Sequence, residues 1–441
     1  MAADLNAIKP TEHLVIIGNG ITGITCATEV RKHSDCRITV ISDEGEYFFS
    51  RPALMYIFMR QMRPADTQPY EKSFWKKNNI ALKQGTVIKI STQDKRIAFA
   101  DQSTMNYDKL LIATGSEPNK FGWPGQDLPG VQGFYSLQDL ALLERNAAGA
   151  THAVVVGGGL IGVEVAEMLR SRRIAVTFLV REKYFWQIVL PKEEAELVAR
   201  HVANHGIDLR FECELAAIEA GADGRVARIR TQKGESIDCQ VVALTAGVSP
   251  NIALARASGI AVKRGVVVNE RFETSVPGIY AAGDCAEFSI APEGRRSVEQ
   301  VWYTGKHHAE TLAQILLGKN AGYKPGIWFN SAKFFDLEYQ VYGDMPALLP
   351  SGHETFFWQN AAGDKCLRLN WHVASRAVTG IHAVGMRLRQ DVCTRWIAGK
   401  LPVENAVEQL ALANFDPEFF QRHEREIMAA FGAGRREVLH A

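Results

Sequence analysis

The sequence is poor in the features that commit a chain to a specialised environment. Its seven cysteines are odd in number and scattered. Cys26, Cys36, Cys213, Cys239, Cys285, Cys366 and Cys393 never form a CxxC or CxxxxC pair. A disulfide framework is therefore not expected, nor is a zinc or iron–sulfur site, and no metal is assigned. No apolar run approaches the roughly 20 residues of a membrane helix. The opening MAADLNAIKPTEH lacks a basic stretch followed by a long apolar one, so no secretory leader is expected and the cytoplasm is the expected compartment. Charge of neither sign dominates: 50 basic against 49 acidic residues give a net +1. That balance argues against nucleic-acid or membrane binding as the main task, while leaving room for a local docking patch.

What remains is an ordinary globular composition, 46% hydrophobic and 22% charged, in a chain of 441 residues. That length accommodates two to four domains. Short apolar strands alternate with helical patterns, which indicates α/β architecture. Residues 13–17 read as a strand running into Gly18, Gly20 and Gly23, then a helix to about residue 32. Residues 37–41 form the next strand, and 110–114 a buried one. Residues 118–133, rich in proline and glycine, read as a linker. A second unit then starts afresh: strand 153–156, a glycine turn, helix 163–170 and strand 175–180. HLVIIGNGITGITCATEV and HAVVVGGGLIGVEVAEML are similar, an internal repeat at long spacing. Beyond Pro325 the pattern changes to strands at 328–342 and 366–384, helices at 387–398 and 403–411, and a polar helix at the end. A helix break is also expected at Pro417. The expected division is 1–120 with 243–325, 121–242, and a C-terminal α+β domain at 326–441.

The glycine turns carry the chemistry. Gly18-Asn-Gly20-Ile-Thr-Gly23 follows an apolar strand and opens a helix, as a dinucleotide-binding fingerprint must. The first glycine permits the tight turn, the second lets the backbone approach a pyrophosphate, and the third lets helix and strand pack closely. The helix N-terminus offers unpaired N–H groups to the phosphates. Gly157-Gly-Gly159-Leu-Ile-Gly162 repeats the pattern in an equally good context. A tight βα turn without a ligand is the plain alternative for either one, but two in one chain are far more specific. Asp43, with Ser42 beside it, stands where an acid would hold the adenosine ribose of the first site. In the second, Val180 occupies that place. Arg181 follows and can pair with the 2′-phosphate of NADP, so NADPH is expected ahead of NADH. A solvated surface arginine is the alternative.

Four elements in order resemble the two-dinucleotide-binding flavoproteins, the pyridine nucleotide–disulfide oxidoreductase superfamily. They are the paired fingerprints, Tyr107-Asp-Lys-Leu-Leu-Ile-Ala-Thr114-Gly115, Thr245-Ala-Gly247-Val-Ser-Pro-Asn251, and Gly278-Ile-Tyr-Ala-Ala-Gly283-Asp284. The resemblance spans about residues 13–320. It implies two Rossmann-like domains, for FAD and for NAD(P), followed by the α+β domain. It places Thr114 and Gly115 by the FAD phosphates, with Gly283 and Asp284 at the ribityl chain. Glu164 falls at the nicotinamide carboxamide, Gly247 beside the nicotinamide and Val87 near the adenine.

The segment Glu46-Tyr-Phe-Phe-Ser50-Arg51-Pro52-Ala-Leu-Met-Tyr56 holds no cysteine where disulfide reductases carry a redox pair. Without a thiolate there, dithiol relay loses its chemical basis. Arg51-Pro52 resembles the flavin-side motif of ferredoxin, rubredoxin and nitrite reductase-type flavoproteins, with Tyr56 where a lysine commonly follows. Glu299 and Trp302 resemble a Glu/Trp segment of the same group, at shifted spacing. The expected activity is hydride transfer from NAD(P)H to FAD and then electron transfer to a protein acceptor such as a ferredoxin or rubredoxin, or another iron–sulfur or haem protein. Two alternatives are an NAD(P)H oxidase or quinone or small-molecule reductase, and a flavin-dependent redox-sensing interaction module. A homodimer is compatible with the aromatic C-terminal segment, for which a core, a dimer interface and a docking face are all open readings.

Overall fold

Apolar runs without polar alternation need both faces covered, and the chain builds two parallel sheets from such runs. A computed structural model describes residues 7–415 and 422–438. Pro417, where a helix break is expected, lies outside the described residues. The chain divides into two units, 1–121 with 132–148 and 247–325, and 122–131 with 149–246 and 326–441.

In the first unit His13–Ile17 is buried throughout. It lies at the centre of a five-stranded sheet ordered Ile279–Ala281, Lys109–Ile112, His13–Ile17, Arg37–Ser42, Ile80–Gln84. All four neighbouring pairs are parallel. The order reverses at the central strand, and ligands of such sheets bind at the carboxyl ends around that point. Helix Ile21–Arg31 leaves the first glycine turn, and helix Trp302–Leu316 packs against it. The crossing is close because Gly305 is there: a Cβ on it would lie 2.8 Å from the Thr22 hydroxyl. A three-stranded antiparallel ribbon, Val87–Ser91, Arg96–Phe99 and Thr104–Asn106, extends this unit.

The second unit repeats the plan. Its sheet runs Ile207–Arg210, Ala175–Leu179, His152–Val156, Val241–Leu244, Val131–Gln132. The segment expected to be a bare linker thus contributes a strand at that edge, where Val131 joins the core. Helix Leu160–Ser171 leaves the second glycine turn. Residues 326–441 fall within this unit and form a five-stranded antiparallel sheet, Phe329–Phe334, Leu337–Gly343, Val378–Val384, Cys366–His372, His353–Gln359. Helices Gln390–Ala398, Val403–Glu408, Leu410–Ala413 and Glu424–Val438 follow. The aromatics of the Phe329–Gly343 hairpin are core: Phe334, Tyr339 and Tyr342 are buried. Phe334 meets Phe185, Trp186 and Tyr339 edge-on.

Helix Lys192–Asn204 was not read from the sequence, although its buried Ala195, Val198 and Val202 keep helical spacing. It carries a buried acid. Glu194 is fully inaccessible, and Arg368 grips it in a fork at 2.6 and 3.0 Å while also reaching Glu193 at 2.7 Å. Burial alone would raise the Glu194 pKa, but the His382 ring, its Nδ1 3.4 Å away, and the Arg368 fork hold it well below the usual carboxylate range. Breaking a buried pair leaves one charge uncompensated, at about 3–5 kcal/mol, whereas replacing both partners is much milder. Arg368→Met is therefore expected to lower the thermal unfolding midpoint clearly, and Glu194→Leu with Arg368→Met to recover most of the loss. A double variant no more stable than the single one would contradict this.

Candidate dinucleotide sites

Both glycine turns have one geometry. Gly18 takes φ +116°, and a Cβ there would lie 2.0 Å from the Ala113 carbonyl oxygen. A Cβ on Gly23 would lie 1.9 Å from the Gly18 oxygen. Gly157 takes φ +117°, with a Cβ position 2.7 Å from Ala246, and a Cβ on Gly162 would lie 2.5 Å from the Gly157 oxygen. No side chain but hydrogen fits these four places. Gly20 and Gly159 differ: a Cβ on either meets nothing within 4 Å. Each is the N-cap of its helix, and neither helix end is capped by a side chain. Each helix end thus lacks a side-chain cap beside an uncrowded glycine, which suits a pyrophosphate.

In the first unit, Thr22 brings a second motif to the fingerprint. Gly283, at φ +78°, packs so tightly on Thr22 that a Cβ would lie 2.4 Å from its hydroxyl. The Gly283 N–H donates to His308 Nδ1 at 3.2 Å. This turn presents Asp284, which accepts from the Ser116 hydroxyl at 3.2 Å, while Gln300 donates to that same hydroxyl oxygen at 2.7 Å. Burial pushes the Asp284 carboxyl up to about 6, against the opposing pull of Ser116, Arg51 and Tyr135. Thr114 donates to the Asn251 carbonyl at 2.7 Å, and Asn251 N–H donates to the Gly115 carbonyl at 2.9 Å. These bonds tie the ends of two strands together beside Asp284.

Arg51 opens a short 3-10 turn with Pro52 behind it. Its guanidinium grips Glu44 at 2.9 and 2.7 Å and donates to the Tyr135 carbonyl. It also lies over the Tyr135 ring, 4.4 Å from the centroid. The Tyr135 hydroxyl in turn accepts from the Ser116 N–H at 3.0 Å. Arg51, Tyr135, Ser116 and Asp284 are therefore one connected group. Glu44, Ser116, Tyr135 and Gln300 were not singled out in the sequence. Ser116 follows the Thr114-Gly115 strand end, a local cue; Tyr135 and Gln300 arrive over long loops and leave none. Ser42 is buried, its hydroxyl accepting from Glu44 and Gly45 N–H groups, and Asp43 is exposed at the strand end. Val87 is half-buried in the antiparallel ribbon, and Trp302 starts its helix edge-on to Tyr303. Glu299 is held by Arg295 in an ion pair, both 9% exposed.

In the second unit, Thr245 donates to the Val156 carbonyl at 3.0 Å and so anchors the strand under the turn. Val180 is buried beneath Gly158. Arg181 is 70% exposed and pairs with Glu182 at 2.9 Å. Glu164 stands on the helix that leaves the turn; burial, then repulsion from Glu167, pushes its carboxyl up to about 7. Gly247 belongs to the first unit, at φ +86°, its carbonyl accepting from Asn119 N–H at 3.1 Å. All seven cysteines are buried and free. No described helix is long and apolar enough to cross a membrane.

Comparison with known proteins agrees with this geometry. The benzene 1,2-dioxygenase system ferredoxin–NAD(+) reductase subunit of Pseudomonas putida is 30% identical over 309 residues, 70% of this chain and 75% of that protein. The assimilatory nitrate reductase electron transfer subunit of Bacillus subtilis (strain 168) is 33% identical over 279 residues, 63% of this chain. The chain spans only 36% of that relative's length. The covalent putidaredoxin reductase–putidaredoxin complex superimposes with a TM-score of 0.78 at 22% identity, covering 96% of this chain and 99% of that one, a likeness of fold. Residues 12–309 match the family model described as pyridine nucleotide-disulphide oxidoreductase, and the chain belongs to that family of FAD-binding, NAD(P)H-dependent oxidoreductases.

Proposed function

We propose that the chain is the reductase of a small protein electron carrier of the ferredoxin or rubredoxin class, drawing on NADPH. The observation that carries it is the pair of alike glycine turns, one in each unit, in a chain whose described cysteines are all buried and unpaired. FAD, when bound, accepts a hydride from a nicotinamide and can release its electrons singly, the mode an iron–sulfur acceptor needs.

The residues divide the work of holding the two dinucleotides. Gly18, Gly20 and Gly23 receive the FAD pyrophosphate, with Thr114 and Gly115 alongside, Asp43 and Ser42 toward the ribose, and Val87 toward the adenine. Gly283 and Asp284 hold a hydroxyl of the ribityl chain. Arg51, fixed by Glu44 and backed by Pro52, sets a positive charge in the same group, and Trp302 closes it. Gly157, Gly159 and Gly162 receive the nicotinamide dinucleotide, Arg181 its 2′-phosphate, and Glu164 its nicotinamide end. Arg181 must exchange Glu182 for that phosphate, and Glu182 itself disfavours a second negative group. NADH is the second reading, favoured by that pair and by the NAD(+) in the Pseudomonas relative's name.

Three measurements test these assignments. The purified protein is expected to show a flavin spectrum bleached by NADPH under anaerobic conditions, and to reduce cytochrome c only when a ferredoxin or rubredoxin is added. An equal rate without the carrier would favour the oxidase reading. Arg181→Ala is expected to raise KM for NADPH about tenfold, the loss of one charge-assisted contact worth about 1.5 kcal/mol, and to leave KM for NADH nearly unchanged. Equal changes would remove the phosphate role. Asp284 has its folded-state pKa raised from 3.8 to about 6. The folded state then binds a proton more tightly than the unfolded one, so stability falls as pH rises through that window. In flavin-free protein, Asp284→Asn is expected to raise the unfolding midpoint at pH 8 but not at pH 4, and to weaken flavin retention on reconstitution. An unchanged midpoint at pH 8 would show that its charge is not held at a cost.

A further inference from the structure

Helix Lys192–Asn204 and the hairpin turn at residues 335–336 converge outside the dinucleotide sites. His201 lies in the last turn of that helix and His205 is its C-cap, four residues on, with ring centroids 4.6 Å apart. Phe335 takes φ +57°, and its ring stacks on His205 with centroids 4.3 Å apart. That contact sets the next residue, Asp336, over both imidazoles. Asp336 Oδ1 lies 2.8 Å from His201 Nε2 and 3.3 Å from His205 Nε2. One donor atom from each residue falls within 4.8 Å of the other two.

We propose that His201, His205 and Asp336 form a binding site for one divalent transition-metal cation of the zinc type, completed by water. The ring orientations carry the argument. His205 Nδ1 lies 2.9 Å from the His201 carbonyl, and the Phe334 carbonyl is an acceptor for the His201 ring. A neutral histidine that donates from Nδ1 presents a lone pair at Nε2. Both Nε2 atoms and Oδ1 then aim lone pairs at one another, which is unfavourable without a cation between them. Backbone carbonyls at the outer nitrogen are the usual way a ligating histidine is oriented. His201 Nε2 is buried, and it faces Asp336 Oδ1.

The spacing suits the ion. Tetrahedral zinc with bonds of about 2.0–2.2 Å sets its ligand atoms roughly 3.3 Å apart. Two imidazoles and one carboxylate favour zinc, nickel or cobalt over calcium or magnesium, which prefer all-oxygen sets. Asp336, 76% exposed, leaves a side open for water. Glu167, on helix Leu160–Ser171, lies beside the group, with Lys333 as its nearest cationic influence. It accepts from the Phe335 backbone and interacts with His205 and Asp336, while its Oε2 is buried without a hydrogen bond. The cysteine spacings that exclude a thiolate site do not bear on this one, because its third ligand lies more than a hundred residues downstream.

The test is a titration of untagged, flavin-loaded protein with Co2+, read by visible d–d absorption, and with Zn2+, read by calorimetry. One equivalent is expected to bind. His201→Ala, His205→Ala and Asp336→Asn should each weaken binding at least about tenfold, or 1.4 kcal/mol. His372→Ala, in the exposed His353–His372 pair, should leave it unchanged. Zn2+ should raise the unfolding midpoint of the parent protein but not of His205→Ala. Flavin content and the far-ultraviolet spectrum show whether each variant folds. Binding that the His201→Ala, His205→Ala double variant reduces less than twofold, or that His372→Ala abolishes, would overturn the site.

Discussion

The architecture depends on a backbone-to-backbone contact that admits no side chain. The Gly18 oxygen lies where a Cβ on residue 23 would be, and Ala113 where a Cβ on residue 18 would be. The strand, the turn and the helix therefore pack at the distance that exposes the N–H groups of the helix end. A methyl group at either place would push the helix off the sheet and turn those donors away from the ligand. The same contact recurs at Gly157 and Gly162. Two copies of one steric constraint define where each unit can bind phosphate, and the carboxyl ends of the parallel strands gather the remaining groups around it.

Charge compensation is the second constraint. The first unit holds a half-buried acid, Asp284, in a group where Arg51 is paired with Glu44. Desolvation lifts the Asp284 carboxyl to about 6, and Ser116, Arg51 and Tyr135 offset this only in part. A group in this state is set to hydrogen-bond a hydroxyl, since a hydroxyl can donate to the carboxylate or accept from the acid. Glu194 in the second unit shows the opposite solution, with Arg368 dedicated to it and the carboxyl held low. The two acids differ in that only Glu194 has a cation dedicated to it.

Legibility in the sequence followed range. Gly18, Gly20 and Gly23 are readable because strand, turn and helix are contiguous and each glycine answers a local steric demand. The same holds for the Gly283-Asp284 turn and, with strand bounds shifted by a residue or two, for the central strands of both sheets, whereas the edge strands Ile207–Arg210 and Val131–Gln132 were not read. Tyr135 and Gln300 join Asp284 only through the fold, and no spacing announces them. Glu44 was passed over beside Asp43 because an acid at a strand end reads as a ribose ligand, while its true partner Arg51 stands seven residues on. The hairpin aromatics read equally well as core or interface until Phe334 was seen among Phe185 and Trp186.

The cysteines bear on how electrons leave. Cys285 adjoins Asp284 and is the thiol nearest that group in sequence. It is fully buried, its S–H directed at the carbonyls of Ile112 and Ala282, each at 3.4 Å. Burial raises its pKa, as it does for Cys26, Cys36, Cys213, Cys239, Cys366 and Cys393. A thiol relay needs a thiolate with access to an acceptor. None of the seven meets either condition. The family's usual protein intermediate is thus missing twice over, from the segment around Arg51 and from the chemistry of every thiol present. Electrons on a flavin bound in this chain would then pass to their acceptor without a protein thiol between them.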